Sequence, residues 1–152
     1  MTIVLYPHPV LRKKAASIET VSAAERTLLD DMAQTMYLKS GVGLAATQIG
    51  IDKQLAVIDV GAGLVKLVNP TIVRREGCET QEEGCLSVPQ KTVRVRRAKR
   101  VTVRFLNENG EALQIVAEGL FARAIQHEVD HLSGRLIIDY LSPLKRILAK
   151  KD

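Results

Sequence analysis

Tryptophan is absent from this chain, and two Phe and three Tyr are too few aromatic side chains to build an interior around. The core must come from Leu, Ile, Val, Ala and Met, and a hydrophobic fraction of 46% is enough for one. Long apolar runs are missing as well. The longest, such as LAVIDV near residue 55 and GRLIID near residue 135, fall far short of the roughly 20 residues a membrane span needs, so no membrane association is expected. The opening MTIVLYPHPVLRKK has no basic region leading into an apolar run and a small-residue cleavage site, which excludes a secretory signal and makes a cytoplasmic location the expectation. Two cysteines, Cys78 and Cys85, are too few for a disulfide framework, and each has to be judged by its neighbours. No repeat period and no low-complexity linker divides the chain, so a single domain over 1–152 is expected.

Acidic residues are outnumbered, 17 against 22 Lys and Arg, and the formal net charge is +5. The excess concentrates in KTVRVRRAKR (residues 91–100), which carries six cations and no acid. A nucleic-acid surface is one reading of that run. The other is a half-buried sheet, because Val93, Val95, Val101 and Val103 alternate with charges and leave the cations on a solvated face.

In SAAERTLLDDMAQTMYLKSG, Ser22 and Glu25 stand in capping-box spacing, Leu28, Leu29, Met32 and Met36 share a face, and Gly41 supplies a stop, which predicts an amphipathic helix. From Gln54 the texture changes to short β-branched runs, QLAVIDV, LVKLVNP, TIVRR, TVRVRR, RVTVRFL and LQIVAE, divided by Gly, Pro and Asn. NENG (107–110) reads as a hairpin turn. Helical spacing returns through Leu120, Ala124, Ile125, Val129 and Leu132 up to Gly134. GRLIIDYL reads as a strand remnant, and Ser142-Pro143 as the start of a short basic last helix, PLKRILAKK. The fold class expected is α+β: antiparallel sheets packed around a central helix, with an N-terminal and a short C-terminal helix.

That central helix carries FARAIQHEVDHLSG (121–134). His127 and His131, at i and i+4, lie on one face and can aim at a single point, with Glu128 one residue round from them. A bound Lewis-acidic ion lowers the pKa of a water from ~15.7 toward roughly 7, and an adjacent carboxylate can take its proton as it attacks a carbonyl. HExxH is therefore a hydrolase pattern. The competing reading is a pair of capping or surface histidines near a helix end. A catalytic site needs a third protein ligand, and of the acids that follow, Asp139 and Asp152, neither has spacing that suggests it reaches back. Cys85, in the loop-like EEGCLSVP, is the alternative, and a thiolate with two imidazoles suits zinc or ferrous iron. A buried structural cysteine is the bland reading of the same residue. SGVGLAATQIG (40–50) lacks the Lys-Ser/Thr of a phosphate loop, and its Gln48 offers an amide donor for a developing oxyanion.

GVGLAATQIG, EEGCLSVP and QHEVDHLSG, in this order and spacing, resemble the three signature motifs of the bacterial-type peptide deformylases, and the opening VLYPHPVLRKKA and closing LIIDYLSP agree too. The resemblance implies a metal-dependent hydrolase that removes the formyl group from the N-terminal formyl-methionine of nascent polypeptides and releases formate. It implies Cys85, His127 and His131 as ligands of one divalent metal ion, Fe(II) first, with zinc, nickel or cobalt also accepted by such a set. Glu128 is then the acid/base, and the Gln48 side chain with the Leu86 backbone N–H holds the oxyanion. The peptide is expected to lie extended against Gly43 and Leu44, with its methionine side chain in an apolar pocket near Leu120, Ala124 and His127. Asp130 is expected to orient its neighbours, and Cys78 is read as a spare thiol. A monomer is expected, with weak ribosome association through the basic C-terminal Lys145, Arg146, Lys150 and Lys151. Two other functions share part of this pattern: an HExxH metallopeptidase cleaving inside peptides, and a non-catalytic RNA- or ribosome-associated module.

Overall fold

Ser22 and Glu25 close a capping box at the start of the first helix, α1 (Ala23–Leu38): the Ser22 N–H donates to Glu25 Oε1 at 3.0 Å, and the Ala24 N–H donates to Ser22 Oγ at 3.3 Å. In this computed structural model, which describes residues 1–142 and 144, α1 ends before the glycine expected to stop it. Ser40 takes the left-handed conformation at φ 57°, and the Gly41 N–H bonds Met36 O at 2.9 Å.

The β-branched runs form two antiparallel sheets. Five strands, β1 (Gly43–Ala45), β2 (Leu55–Ile58), β3 (Val65–Glu76), β6 (Arg100–Leu106) and β7 (Ala112–Glu118), lie in the order β1-β2-β3-β6-β7. The remaining two, β4 (Glu79–Cys85) and β5 (Val88–Arg97), form a separate hairpin. LVKLVNP and TIVRR, read as two runs, are one long strand, β3, because shifts in its register with β6 absorb the Asn69-Pro70 interruption. NENG is the β6–β7 turn, with the Gly110 N–H on Asn107 O at 3.0 Å.

The second helix, α2 (Gly119–Leu132), covers one face of the large sheet and α1 covers the other. Alternation along β2 makes this possible: Ala56 and Ile58 join the α2-side core with Leu67, Val103 and Ile125, while Leu55 and Val57 join the α1-side core with Leu29, Met32 and Met36. β1 follows the same rule, with Ala45 facing α2 and Leu44 facing α1. Gly134 ends α2 at φ 81°, where a Cβ would press within 2.7 Å of the Arg12 carbonyl carbon. The hairpin has its own small core, Val88, Val93 and Val95 on Leu11, Leu136, Ile137 and Ile138.

Three expectations are corrected here. GRLIIDYL is not a strand remnant: Ile137–Tyr140 is a 3-10 helix, and the Asp139 carboxylate is committed to the Leu136 N–H at 3.0 Å and to Arg12 at 2.6 Å. EEGCLSVP is not a loop but the closing end of the β4–β5 hairpin, with Cys85 paired to Val88. Of the cations in KTVRVRRAKR, Arg97 is buried, because it shares the inward phase of Val93 and Val95. The basic last helix expected from Pro143 onward lies outside the described residues apart from Leu144. No helix among the described residues is long and apolar enough to cross a membrane.

Candidate metal centre

α2 presents His127 and His131 one turn apart, with ring centroids 4.9 Å from each other, and the end of β4 brings Cys85 up to both. One ligand atom from each of Cys85, His127 and His131 lies within 4.8 Å of the other two, and Cys85 Sγ stands 3.2 Å from His131 Nε2. A soft thiol and two imidazoles this close together are a donor set that would suit zinc or ferrous iron. They form a metal-binding group suited to a divalent ion.

Glu83, two residues before the cysteine on β4, takes His127 Nδ1 at 3.0 Å and so leaves the other ring nitrogen for the site. Glu83 is itself held by Arg97, whose Nε and Nη2 each donate at 2.9 Å, and by Arg123, whose Nη1 donates at 2.6 Å. Burial alone would raise the Glu83 carboxyl, but the hydrogen bonds from His127 and Arg97 outweigh it and hold the group at about 2. Arg97 continues to Asp130 at 2.5 Å, and Asp130 also accepts from the Tyr140 hydroxyl at 2.6 Å. Asp130 is thus linked to His127 through Arg97 and Glu83.

Glu128 is 3% exposed, and its Oε1 has no hydrogen-bond partner among the described residues. Desolvation pushes its carboxyl up to about 7 against the lowering influence of His127 and Arg97, which places it where a proton can be taken and returned near neutrality. Burial lowers His131 well below the usual histidine range. Burial would do the same to His127, but the Glu128 charge and hydrogen bonds to Cys85 and Glu83 overcome it and raise that ring well above its ordinary value.

Gln48 stands on the 3-10 turn after β1. The Ala45 N–H donates to its Oε1 at 3.0 Å, which fixes the amide so that Nε2 faces Ser87 Oγ at 3.2 Å and Cys85 Sγ at 3.6 Å. A cleft of about 770 Å³ opens over these groups, lined by Gly43, Gln48, Cys85, Leu86, His127 and Glu128. Leu120, Arg123 and Ala124, on the preceding turns of α2, line it as well, with Leu120 55% exposed. Leu44 is different: its side chain is buried in the α1-side core, so only its backbone, on the edge strand β1, can meet anything in the cleft.

The family profile of polypeptide deformylase matches residues 1–147. The chain belongs to that family. It is 49% identical to the peptide deformylase of Xylella fastidiosa strain M12, over 99% of this chain and 92% of that protein. It is 52% identical to that of Caldanaerobacter subterraneus over 86% of this chain and 82% of the relative. The crystal structure of a deformylase from Legionella pneumophila superposes with a TM-score of 0.94 at 46% identity, covering 99% of this chain and 90% of that one. The Ehrlichia chaffeensis enzyme in complex with actinonin gives 0.95 at 36% identity, over 99% and 94%. As a deformylase, the chain is a metal-dependent hydrolase that removes the formyl group from nascent polypeptides, the function its three motifs imply.

Sequence reasoning gave no role to Glu83 and Ser87, which lie inside EEGCLSVP, or to Arg97 and Arg123, which lie outside the three motifs. Glu83 and Ser87 could have been found by their place in that motif, and Arg97 by its place in the phase of the buried valines. Cys78 is an exposed free thiol, 3.1 Å from Arg96 Nη2 and outside the site.

Proposed function

We propose that Cys85, His127 and His131 hold Fe(II), and that Glu128, Gln48 and Leu86 carry deformylation around it. The observation that carries this reading is the convergence of the three ligand atoms beside a buried carboxylate with an unpartnered oxygen. When bound, the ion supplies Lewis-acid activation of water and of the formyl oxygen. Glu128 takes the proton of the attacking water and passes it to the leaving amine, a role supported by its burial and its carboxyl at about 7. The Gln48 Nε2–H and the Leu86 backbone N–H donate to the oxygen that gains charge as the formyl carbon becomes tetrahedral. Gln48 suits this because its amide is already oriented by Ala45 and needs no reorganisation.

The formyl-methionyl peptide adds to β1 as an extended strand along Gly43 and Leu44. This is supported by the position of β1 at the end of the sheet order, with β2 as its one strand neighbour. The methionine side chain enters between Leu120, Ala124 and His127. Asp130 braces Arg97. We further propose that the chain works as a cytoplasmic monomer and meets nascent chains through weak ribosome contact of its basic C-terminus.

Protein purified without oxygen is assayed for formate release from a formyl-methionyl peptide and from its acetylated counterpart, with elemental analysis alongside. Formate from the first peptide alone, with iron bound and activity lost in air, is the expected result. Cleavage inside either peptide would favour the metallopeptidase reading instead.

A further inference from the structure

Cys85 and the two histidines lie on elements that no strand ladder joins, because the β4–β5 hairpin is a sheet of its own, apart from the five strands that α2 covers. An isolated two-stranded hairpin is marginal by itself. The hairpin packs on Leu11, Leu136, Ile137 and Ile138, and what ties it directly to α2 are side-chain hydrogen bonds.

Arg123 makes three of them. It stands one turn before His127 on the same face of α2, and its guanidinium is buried. Nη1 donates to Glu83 Oε2 at 2.6 Å and to the Val95 carbonyl at 2.9 Å, and Nη2 donates to the Glu79 carbonyl at 2.7 Å. The acceptors lie on both strands of the hairpin, and one of them is the carboxylate that holds His127 Nδ1. A planar fork with several donors can hold three such acceptors at once, whereas a lysine offers a single nitrogen. The result is a closed loop of contacts: α2 through Arg123 to Glu83, and from Glu83 back to α2 at His127, with Cys85 two residues along the same strand.

We propose that Arg123 is a positioning residue that sets the geometry of the metal site by clamping the cysteine-bearing hairpin to the histidine-bearing helix. This rests on Cys85, His127 and His131 being the ligands. Arg123 is not one of those three ligands: it borders the cleft, but its guanidinium is turned to Glu83, Glu79 and Val95. Without the clamp, Glu83 loses one of its three cationic or ring partners and the hairpin loses two carbonyl ties, so the three ligand atoms are no longer held together before the ion arrives.

The test uses the full chain with Co(II) alone as the probe. Metal-free parent, Arg123→Met and Arg123→Lys are titrated against a chelator, and the sulfur-to-cobalt charge-transfer absorption reports whether the thiol is engaged. Arg123→Met should bind Co(II) on the order of 10–100-fold more weakly, with a reduced sulfur-to-cobalt band at limiting metal. Excess Co(II) should restore most of kcat. An affinity within twofold of the parent, in a variant that is merely less stable to heat, overturns the proposal. If Arg123→Met does not fold, Arg123→Lys decides: it keeps the charge beside Glu83 but gives up the strand carbonyls, so unchanged Co(II) affinity there overturns the clamp and weaker binding supports it. Formate release by the parent tests the deformylase reading separately, since no substrate enters the metal titration.

Discussion

Gly43 and Glu128 are in direct contact across the cleft: a Cβ built on Gly43 would sit 3.0 Å from Glu128 Cδ and closer still to its Oε2. The glycine is required for that space, since it gives the buried carboxylate its position against β1. Gly43→Ala should displace Glu128 and lower kcat at least tenfold while Co(II) affinity stays near the parent's, because the nearest atoms a Cβ there would meet all belong to Glu128, which is not among the proposed ligands. Glu128→Gln should go further, by about 10²–10⁴ in kcat, with metal content unchanged. Steady-state formate release with metal analysis checks both, and a Gly43→Ala enzyme of normal kcat would break the connection.

Gln48 reaches the site as a donor whose orientation is set by Ala45. Gln48→Leu keeps the volume and removes the donor. It should cost about 10²–10³ in kcat with KM little altered, the pattern of an interaction made in the transition state. A change confined to KM would assign Gln48 to ground-state binding.

Glu83 stands between Arg97 and Arg123, and all three side chains are less than a tenth exposed. Glu83→Gln leaves two buried guanidiniums with too little compensating charge, and breaking such a pair costs about 3–5 kcal/mol. Urea unfolding of metal-free protein measures this. A loss below 1 kcal/mol would mean that water or Asp130 already compensates the arginines.

Glu25 caps α1, and hydrogen bonds from the Ser22 side chain and backbone, then from Lys53, hold its carboxyl at about 2 against an ordinary 4.5. A carboxyl lowered on folding stabilises the native state fully above its unfolded value. That contribution shrinks as the pH falls from about 4.5 and is gone below about 2. Glu25→Gln should therefore be less stable than the parent at pH 7, with the gap closing across that window. Thermal unfolding at pH 7, 4 and 2 reads it, and a gap independent of pH would place the cap's value in hydrogen bonding rather than in charge.

Local pattern alone was enough for much of this protein. Ser22 and Glu25 mark where α1 starts because a capping box involves neighbours in the chain. His127 and His131 share a face because helical spacing puts them there, and alternation in β5 and β6 separates the valines from most of the cations. Cys85 and Gln48 were candidates by their chemistry, and the resemblance of three motifs joined them to the histidines, since nothing in their own spacing says that a strand end and a 3-10 turn meet α2. The tertiary structure decided which charges go inside. Nothing local marks Glu83 or Arg123 for burial, which depends on a partner 40 positions away. Arg97 needed both Glu83 and Asp130 for the same reason. A charge is driven to the surface by its own solvation, so a charged residue within the core is legible only when its counter-charge is known, and that is a property of the folded chain.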